Sequence, residues 1–337
     1  MWHDGLKFKL MALNLPAPLT RLLSNFLDGR SAAIKLNDYI GIPIPLESGV
    51  PQGSILSPTL FTLYTHDIPA PAPHKNYLIY ADDITQIVST FSKSKEFMRR
   101  DTQRAIQTIN DYEHKWKIKT NTMKFQVIPI ARQNPPPIRI NNTDIPYSRE
   151  GKILGLTITP TGIRKHVLDR VNKARATLTK LKRFSTCSIK TKMRLYTTIV
   201  RPVLEYPPIP VHAASTTLLL KLQVVQNQAL RWVYNIRYPV IVTNERLHIM
   251  SNLLPINIWL YNRATKVWNT LSALEDPLYE QLAETHQGLQ GSHKWWRRSL
   301  HITSGLPPPE PLYRRLRANR NHQASDDESD DDPDDPD

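Results

Sequence analysis

Apolar and polar positions change rhythm near residue 158. Before that point, short apolar runs are broken by turn residues. Residues 4–13 and 19–28 read as short helices, separated by Pro16 and Pro18 and closed at Asp28-Gly29. Ser31 to Leu36 and Tyr39 to Leu46 alternate on either side of Asn37-Asp38, which predicts a hairpin. A helix is expected from about Pro58 to His66. After the stiff Pro69, Pro71 and Pro73 comes LIYADDITQIV, residues 78–88. Its β-branched and aromatic residues flank Asp82-Asp83, the pattern of two strands around a two-residue acidic tip. From Ser94 to about Lys117, Phe97, Ala105, Ile109, Tyr112 and Trp116 recur at mostly helical spacing, a core stripe. Pro135 to Pro137 mark a loop.

Beyond residue 158 the period becomes helical. Ile163, Val167, Val171, Ala174, Leu178 and Leu181 recur in steps of three and four, the spacing of one packed helix face. Residues 195–206, 222–233 and 243–285 read as further helices, with Trp259, Tyr261 and Trp268 as core. From about residue 305 the chain is Pro-rich, then basic (Tyr313 to Arg320), then acidic, and a disordered end is expected.

Charge sharpens this division. The net charge is +14, but residues 325–337 hold nine acids and no base, leaving 44 bases against 21 acids, +23, in the rest. A body that basic points to a polyanion, most simply nucleic acid, although charge does not separate RNA from DNA or from an anionic membrane surface. Between residues 159 and 240 stand fifteen Lys or Arg and two acids, Asp169 and Glu205. Arg164, Lys165, Arg170, Lys173, Arg175, Lys180 and Lys182 fall largely off the apolar stripe, as a helix tracking phosphates would have them. The acidic tail could lie over that body as a screen. His293 to Arg298 interleave bases with Trp295 and Trp296, either a nucleic-acid contact or a docked helix end. Cys187 is the single cysteine, so no intramolecular disulfide framework exists and a reducing intracellular site is expected. No run of about eighteen apolar residues suggests a membrane span. The scattered histidines suggest no zinc site.

Candidate chemistry centres on the adjacent carboxylates. Asp82 and Asp83 would repel unless a cation neutralised them, and hard oxygen donors in this number suit Mg²⁺ completed by substrate phosphates. Taken without its surroundings, the pair also reads as a solvated turn. Gly49, Pro51, Gln52 and Gly53 form a loop that lets backbone approach a ligand, or simply a tight turn capping a core helix.

The surrounding motifs narrow these choices. SGVPQGSILSPTLFTLYTHDIP (48–69), YADD (80–83), NTMKF (121–125) and KILGLTI (152–158) follow one another in an order and spacing that resembles the reverse transcriptases of non-LTR retrotransposons, the jockey-like group of arthropods in particular. The resemblance covers nearly the whole chain. It implies RNA-directed DNA polymerisation by two-metal nucleotidyl transfer, with RNA template, DNA primer and dNTP as partners and Mg²⁺ or Mn²⁺ as cofactor. Asp82 and Asp83 would be the catalytic metal ligands. Gln52, Gly53 and Lys124 would meet the nucleotide, although Lys124 reads equally as a surface lysine. Tyr80 and the strand bearing Gly155 would lie near the primer, and Arg164, Lys165, Lys173, Arg175, Lys180 and Lys182 would hold primer and template.

The implied fold is α+β: a partial palm with a small antiparallel sheet backed by helices (1–158), a basic helical thumb (159–240), a helical extension (241–304) and a disordered tail (305–337). Trp2-His3-Asp4-Gly5 match the tail of the family's first catalytic block. Its metal-binding Asp would fall two residues before Met1, and Asp4 reads as a helix-start residue rather than a substitute. Little polymerase activity is therefore expected of the isolated chain. Fingers and endonuclease domains would belong to a longer parent, in the nucleus or cytoplasm. The alternative is a degenerate or repurposed nucleic-acid-binding protein without catalysis.

Overall fold

The computed structural model describes residues 1–69, 75–88, 94–118, 120–129, 137–140, 143–237, 239–274 and 309–313. It divides into two units, Met1–Gly151 and Lys152–Asp337. The Trp295-Trp296 cluster and the acidic tail lie outside the described residues.

In the first unit, α1 (His3–Ala12) and α2 (Ala17–Leu27) are separated at Pro16, which stands at the N-cap of α2. The hairpin expected around Asn37-Asp38 forms in two steps. β2 (Lys35–Leu36) pairs with β3 (Tyr39–Ile40), and β1 (Ser31–Ala32) pairs with β4 (Ile44–Pro45) further from the turn. Asn37 takes the left-handed conformation that tight turns require, with φ of 52°. α3 (Leu56–Thr65) leads to the β5 (Lys75–Tyr80) and β6 (Asp83–Val88) hairpin, and α4 (Lys95–Lys115) follows. β7 (Ile138–Ile140) and β8 (Thr143–Ile145) close the unit.

Two apolar clusters hold these elements. Leu6, Leu10, Leu23, Leu27, Leu60, Tyr64, Tyr112 and Trp116 join α1, α2, α3 and the end of α4. Ile106 of α4 packs with Ile138, Ile140 and Ile145. Phe97 departs from the expected core stripe. It is 52% exposed near the start of α4, where Arg100 lies over its ring. Among the described residues the strands form five separate two-stranded ladders rather than one continuous sheet.

The boundary between the units falls inside β9 (Gly151–Ile153), which pairs with β10 (Leu156–Ile158), and the second unit then becomes helical: α5 (Arg164–Leu181), α6 (Ile189–Leu195), a π-helical turn (Tyr196–Val200), α7 (Arg201–Glu205), α8 (Pro208–His212), α9 (Thr216–Val233), α10 (Asn244–Ser251) and α11 (Ile256–Ala273). The starts of α6, α9 and α10 are capped by Ser188, Ser215 and Thr243, whose hydroxyls accept backbone N–H groups of Thr191, Leu218 and Arg246. Each such cap contributes about 1 kcal/mol. One continuous core runs from Val167, Val171, Ala174 and Leu178 on α5 through Tyr196, Val200 and Leu204 to Leu222, Val225 and Leu230 on α9. The α5 stripe read from the sequence is the buried face. Among the described residues no helix is long and apolar enough to cross a membrane.

Candidate active site and nucleic-acid interface

The YADD hairpin turns one residue earlier than the sequence pattern suggested. Tyr80 pairs with Asp83, so Ala81 and Asp82 form the turn and Asp83 opens β6. This register sets Ile79 opposite Ile84, whereas a turn at Asp82-Asp83 would set Ile79 opposite Gln86. Cross-strand apolar pairing favours the former. The cost falls on Ala81, a non-glycine residue at φ of 50°, on the order of 1 kcal/mol. Asp82, Asp83 and Tyr80 are exposed, Tyr80 by 66%. The hairpin also leaves Leu78, Ile79 and Ile87 near half exposure, and α4 lies along β6.

The 48–53 loop is tied down by the first three residues. Trp2 bridges to Ser48, the Gly49 N–H donates to Met1 O, and the buried His3 ring contacts Gly49 O through Nε2 at 2.8 Å. Gly49 and Gly53 have φ of 90° and 86°, conformations that side-chain-bearing residues rarely adopt. Ser57 Oγ donates to Pro51 O at 2.6 Å, fixing the loop to the first turn of α3. Gln52 and Gly53 are thereby presented together, exposed, ahead of a helix. Asp4 lies in the first turn of α1 and accepts from Trp2 Nε1 at 3.1 Å.

The first unit also holds a polar core that the sequence reading missed. Lys9, 2% exposed, donates to Tyr64 O, to Asp67 Oδ1 and to Tyr112 Oη. Its ammonium also lies 3.8 Å from the Trp116 ring centroid and about 5 Å from those of Tyr64 and Tyr112. Burial lowers the Lys9 pKa, against the opposing pull of Asp67. Burial raises Asp67, but bonds from Lys9 and Tyr112 outweigh it and hold that carboxyl below its usual range. Both partners shift down because Lys9 is the more deeply desolvated of the two. One sequence signal was present: Lys9 stands between Leu6 and Leu10 on the apolar face of α1.

Lys124 ends a short 3₁₀ turn, Thr122–Lys124, built on Asn121. The Asn121 side chain accepts the Met123 N–H and its carbonyl accepts the Lys124 N–H. Its side chain is exposed. Among the described residues, no hydrogen bond or ion pair joins Asp82 or Asp83 to Gln52 or Lys124.

In the second unit, Gly155 lies in the turn between β9 and β10, not within the strand the motif suggested. Leu154 and Gly155 have φ of 47° and 79°. The turn is clamped: Tyr206 Oη donates to Leu154 O, and Arg170 donates to Gly155 O at 3.0 Å while stacking on Tyr206. A Cβ at Gly155 would meet the Tyr206 ring at 3.3 Å, so the close approach at this glycine is made by the chain's own side chain. His166 ties β10 to α5, accepting the Thr157 N–H at Nδ1 (3.1 Å) and donating from Nε2 to Tyr206 O (2.9 Å). Burial lowers its pKa. Arg164, Lys165, Lys173, Arg175, Lys180 and Lys182 are all exposed, five on α5 and Lys182 at its C-cap, opposite the buried stripe.

A hard divalent cation fits the YADD donors. Asp82 and Asp83 are adjacent and exposed, and neither side chain is engaged by another described residue. Among the described residues, no three His, Cys, Asp or Glu side chains group as a metal site. Mg²⁺ nevertheless needs one or two carboxylates when substrate phosphates and water complete its shell.

Comparison with known proteins adds the family context. Residues 1–158 match the family model described as "Reverse transcriptase (RNA-dependent DNA polymerase)". The chain is 29% identical over 259 residues to a "Probable RNA-directed DNA polymerase from transposon X-element" of Drosophila melanogaster, covering 74% of this chain and 28% of that protein. It is 28% identical over 272 residues to the corresponding protein "from transposon BS" (75% and 29%), and 28% identical over 249 residues to the "RNA-directed DNA polymerase from mobile element jockey" (68% and 26%), both of the same species. The chain thus matches less than a third of the length of these curated relatives.

Proposed function

We propose that this chain serves RNA-templated DNA synthesis, a reading supported by the match of residues 1–158 to the reverse transcriptase (RNA-dependent DNA polymerase) model and by relatives named for the X-element and jockey mobile elements. The observation that carries this is the exposed, register-locked YADD hairpin in a unit whose GVPQG loop is pinned at Gly49 by Met1 and His3. In this reading the first unit is the catalytic part of a palm. Asp82 and Asp83 hold Mg²⁺ or Mn²⁺ at the hairpin turn. The metal, when bound, stabilises charge on the transferring phosphate and eases deprotonation of a primer 3′ hydroxyl. Gln52 and Gly53 line the nucleotide on the pinned loop, Lys124 offers a cation to its phosphates, and Tyr80 supports the primer end. Residues 159–240 act as a thumb, with Arg164, Lys165, Lys173, Arg175, Lys180 and Lys182 meeting the phosphates of primer and template. The workplace is intracellular, and the parent protein supplies further domains.

The test is primer extension on an RNA template, with Mg²⁺ and with Asp82→Ala as control. Even weak extension lost in that variant supports the reading, extension unchanged by it overturns the assigned role of the hairpin, and where the wild type extends too little to measure, Mn²⁺ binding that Asp82→Ala does not weaken overturns that role. A second reading is nucleic-acid binding without chemistry. It is favoured by the donor set among the described residues, in which no third His, Cys, Asp or Glu joins the two carboxylates. That reading expects salt-sensitive binding untouched by Asp82→Ala, together with no extension.

A further inference from the structure

The second unit carries another basic surface, away from the exposed side of α5 in sequence. A groove of about 690 Å³ is lined by Ile189, Lys190, Met193, Arg194, Thr197, Thr198, Tyr234 and Ser251. Its rim is cationic: Lys190 and Arg194 are exposed, one helical turn apart, and neither meets a carboxylate among the described residues. Its floor is apolar, with Ile189 48% exposed and Met193 and Tyr234 half-buried. The Tyr234 ring is held in place because its hydroxyl donates to Met250 O at 2.8 Å.

The backbone under the groove is unusual. α6 runs into a π-helical turn, where the Arg201 N–H donates to Tyr196 O five residues back. Turns of this kind occur frequently at functional sites. The wide turn accommodates Tyr196, Val200 and Leu204, spaced four apart and all buried, which leaves Lys190, Arg194 and Thr198 on the outer side. Thr197 and Thr198 hydroxyls both donate to Arg194 O, at 3.2 and 2.7 Å. They stiffen the segment that presents the Arg194 side chain.

We infer that this groove binds a single strand of nucleic acid, with backbone phosphates on Lys190 and Arg194 and a base or sugar face on Met193 and Tyr234. The inference deepens the nucleic-acid reading above and rests on it. Paired cations beside a fixed, partly exposed aromatic ring are the parts of a single-strand site: phosphates give affinity, and an unstacked base supplies a face that a closed duplex does not. The groove is built from α6, the π turn, α9's C-cap and the end of α10, elements that carry none of the assigned α5 cations.

The experiment is fluorescence anisotropy of the full chain with fluorescein-labelled U12 and dT12 and with a blunt hairpin duplex, across a salt series. Lys190→Glu with Arg194→Glu should weaken U12 or dT12 binding at least tenfold at low salt. Two lost phosphate contacts should lower the slope of log affinity against log salt by about 1.4. Arg21→Glu with Lys35→Glu, the same charge change on exposed residues of the first unit, should move binding less than threefold. Tyr234→Leu should weaken single-strand binding severalfold and Tyr234→Phe should not. Circular dichroism confirms that each variant is folded, and 4-thiouridine crosslinking of the wild type should map to residues 189–198 or 234. Wild-type binding unchanged by the groove pair, with crosslinks elsewhere, would overturn this site and leave the general reading intact. Equal losses for the hairpin duplex would overturn the single-strand assignment. A wild-type chain that binds none of the probes would overturn both.

Discussion

The two units are stabilised by different physics. Lys152–Asp337 has one continuous apolar core along α5, the α6–α7 segment and α9. Met1–Gly151 has two smaller apolar clusters, and the larger surrounds a buried ammonium. The contrast follows from what each unit exposes. The first unit presents the YADD hairpin, the 48–53 loop and the hairpin from Ser31 to Pro45, where Ile34, Leu36, Tyr39 and Ile42 are all more than two-thirds exposed. Apolar residues at those positions are not available for its core. The Lys9 cage compensates by joining α1, the end of α3 and α4 through directional bonds. A hydrophobic core tolerates small shifts, whereas a buried charge with several partners holds one geometry or is costly.

The sharpest way to break this comparison is Lys9→Ala. Removing one partner of a buried pair costs about 3–5 kcal/mol, and the lower end is expected because Asp67 is partly exposed. Guanidinium denaturation followed by tryptophan fluorescence would read it. A loss below about 1 kcal/mol would mean that the cage is packing rather than electrostatic. In the second unit, Leu222→Ala removes a fully buried side chain and should cost about 3 kcal/mol. Hydrogen exchange of the variant should show the loss along α5 and α9, and uniform loosening of both units would contradict their separate cores.

Acid should distinguish the units by a smaller amount. Burial lowers the pKa of His166 and His248 below the ordinary 6.5. Both rings are held neutral, His166 accepting from Thr157 and His248 accepting from Gln223 at Nε2 while donating to Leu253 O. Below pH 6.5 the unfolded chain therefore binds more protons than the folded one. The stability they contribute is present above pH 6.5 and falls as pH drops toward the folded-state values. Melting of the second unit should decline from pH 7 to pH 5, with His166→Gln flattening part of the slope. A melting temperature that rises toward pH 5 would reverse the sign argued here.

The smallest effect is expected at the hairpin itself. Asp82→Asn alters an exposed turn residue with no side-chain partner among the described residues and should change stability by less than about 0.5 kcal/mol. On the proposed function its effect falls on metal binding, measurable as weaker Mn²⁺ relaxation enhancement in titration. A large stability change would make Asp82 a structural residue.

Much of this was legible before the fold. The α5 stripe, the long α4, the hairpin at Asn37-Asp38 and the paired strands around YADD all follow from local periodicity and turn chemistry, which act over a few residues. The motifs from GVPQG to YADD pointed to the family that residues 1–158 match. Sequence could not place the turn of the YADD hairpin. Its register depends on cross-strand pairing of Ile79 with Ile84, a contact between strands. Nor could it show that Gly155 is closed over by Tyr206, fifty-one positions away, or that Lys9 finds Asp67 and Tyr112. A lysine inside an apolar stripe is unfavourable until distant helices supply its partners. Periodicity and composition thus determined which segments are helices or strands and which unit is basic. The tertiary structure decided which polar groups are buried, how the hairpin is registered and what pins the GVPQG loop, because those outcomes rest on contacts that no local pattern encodes.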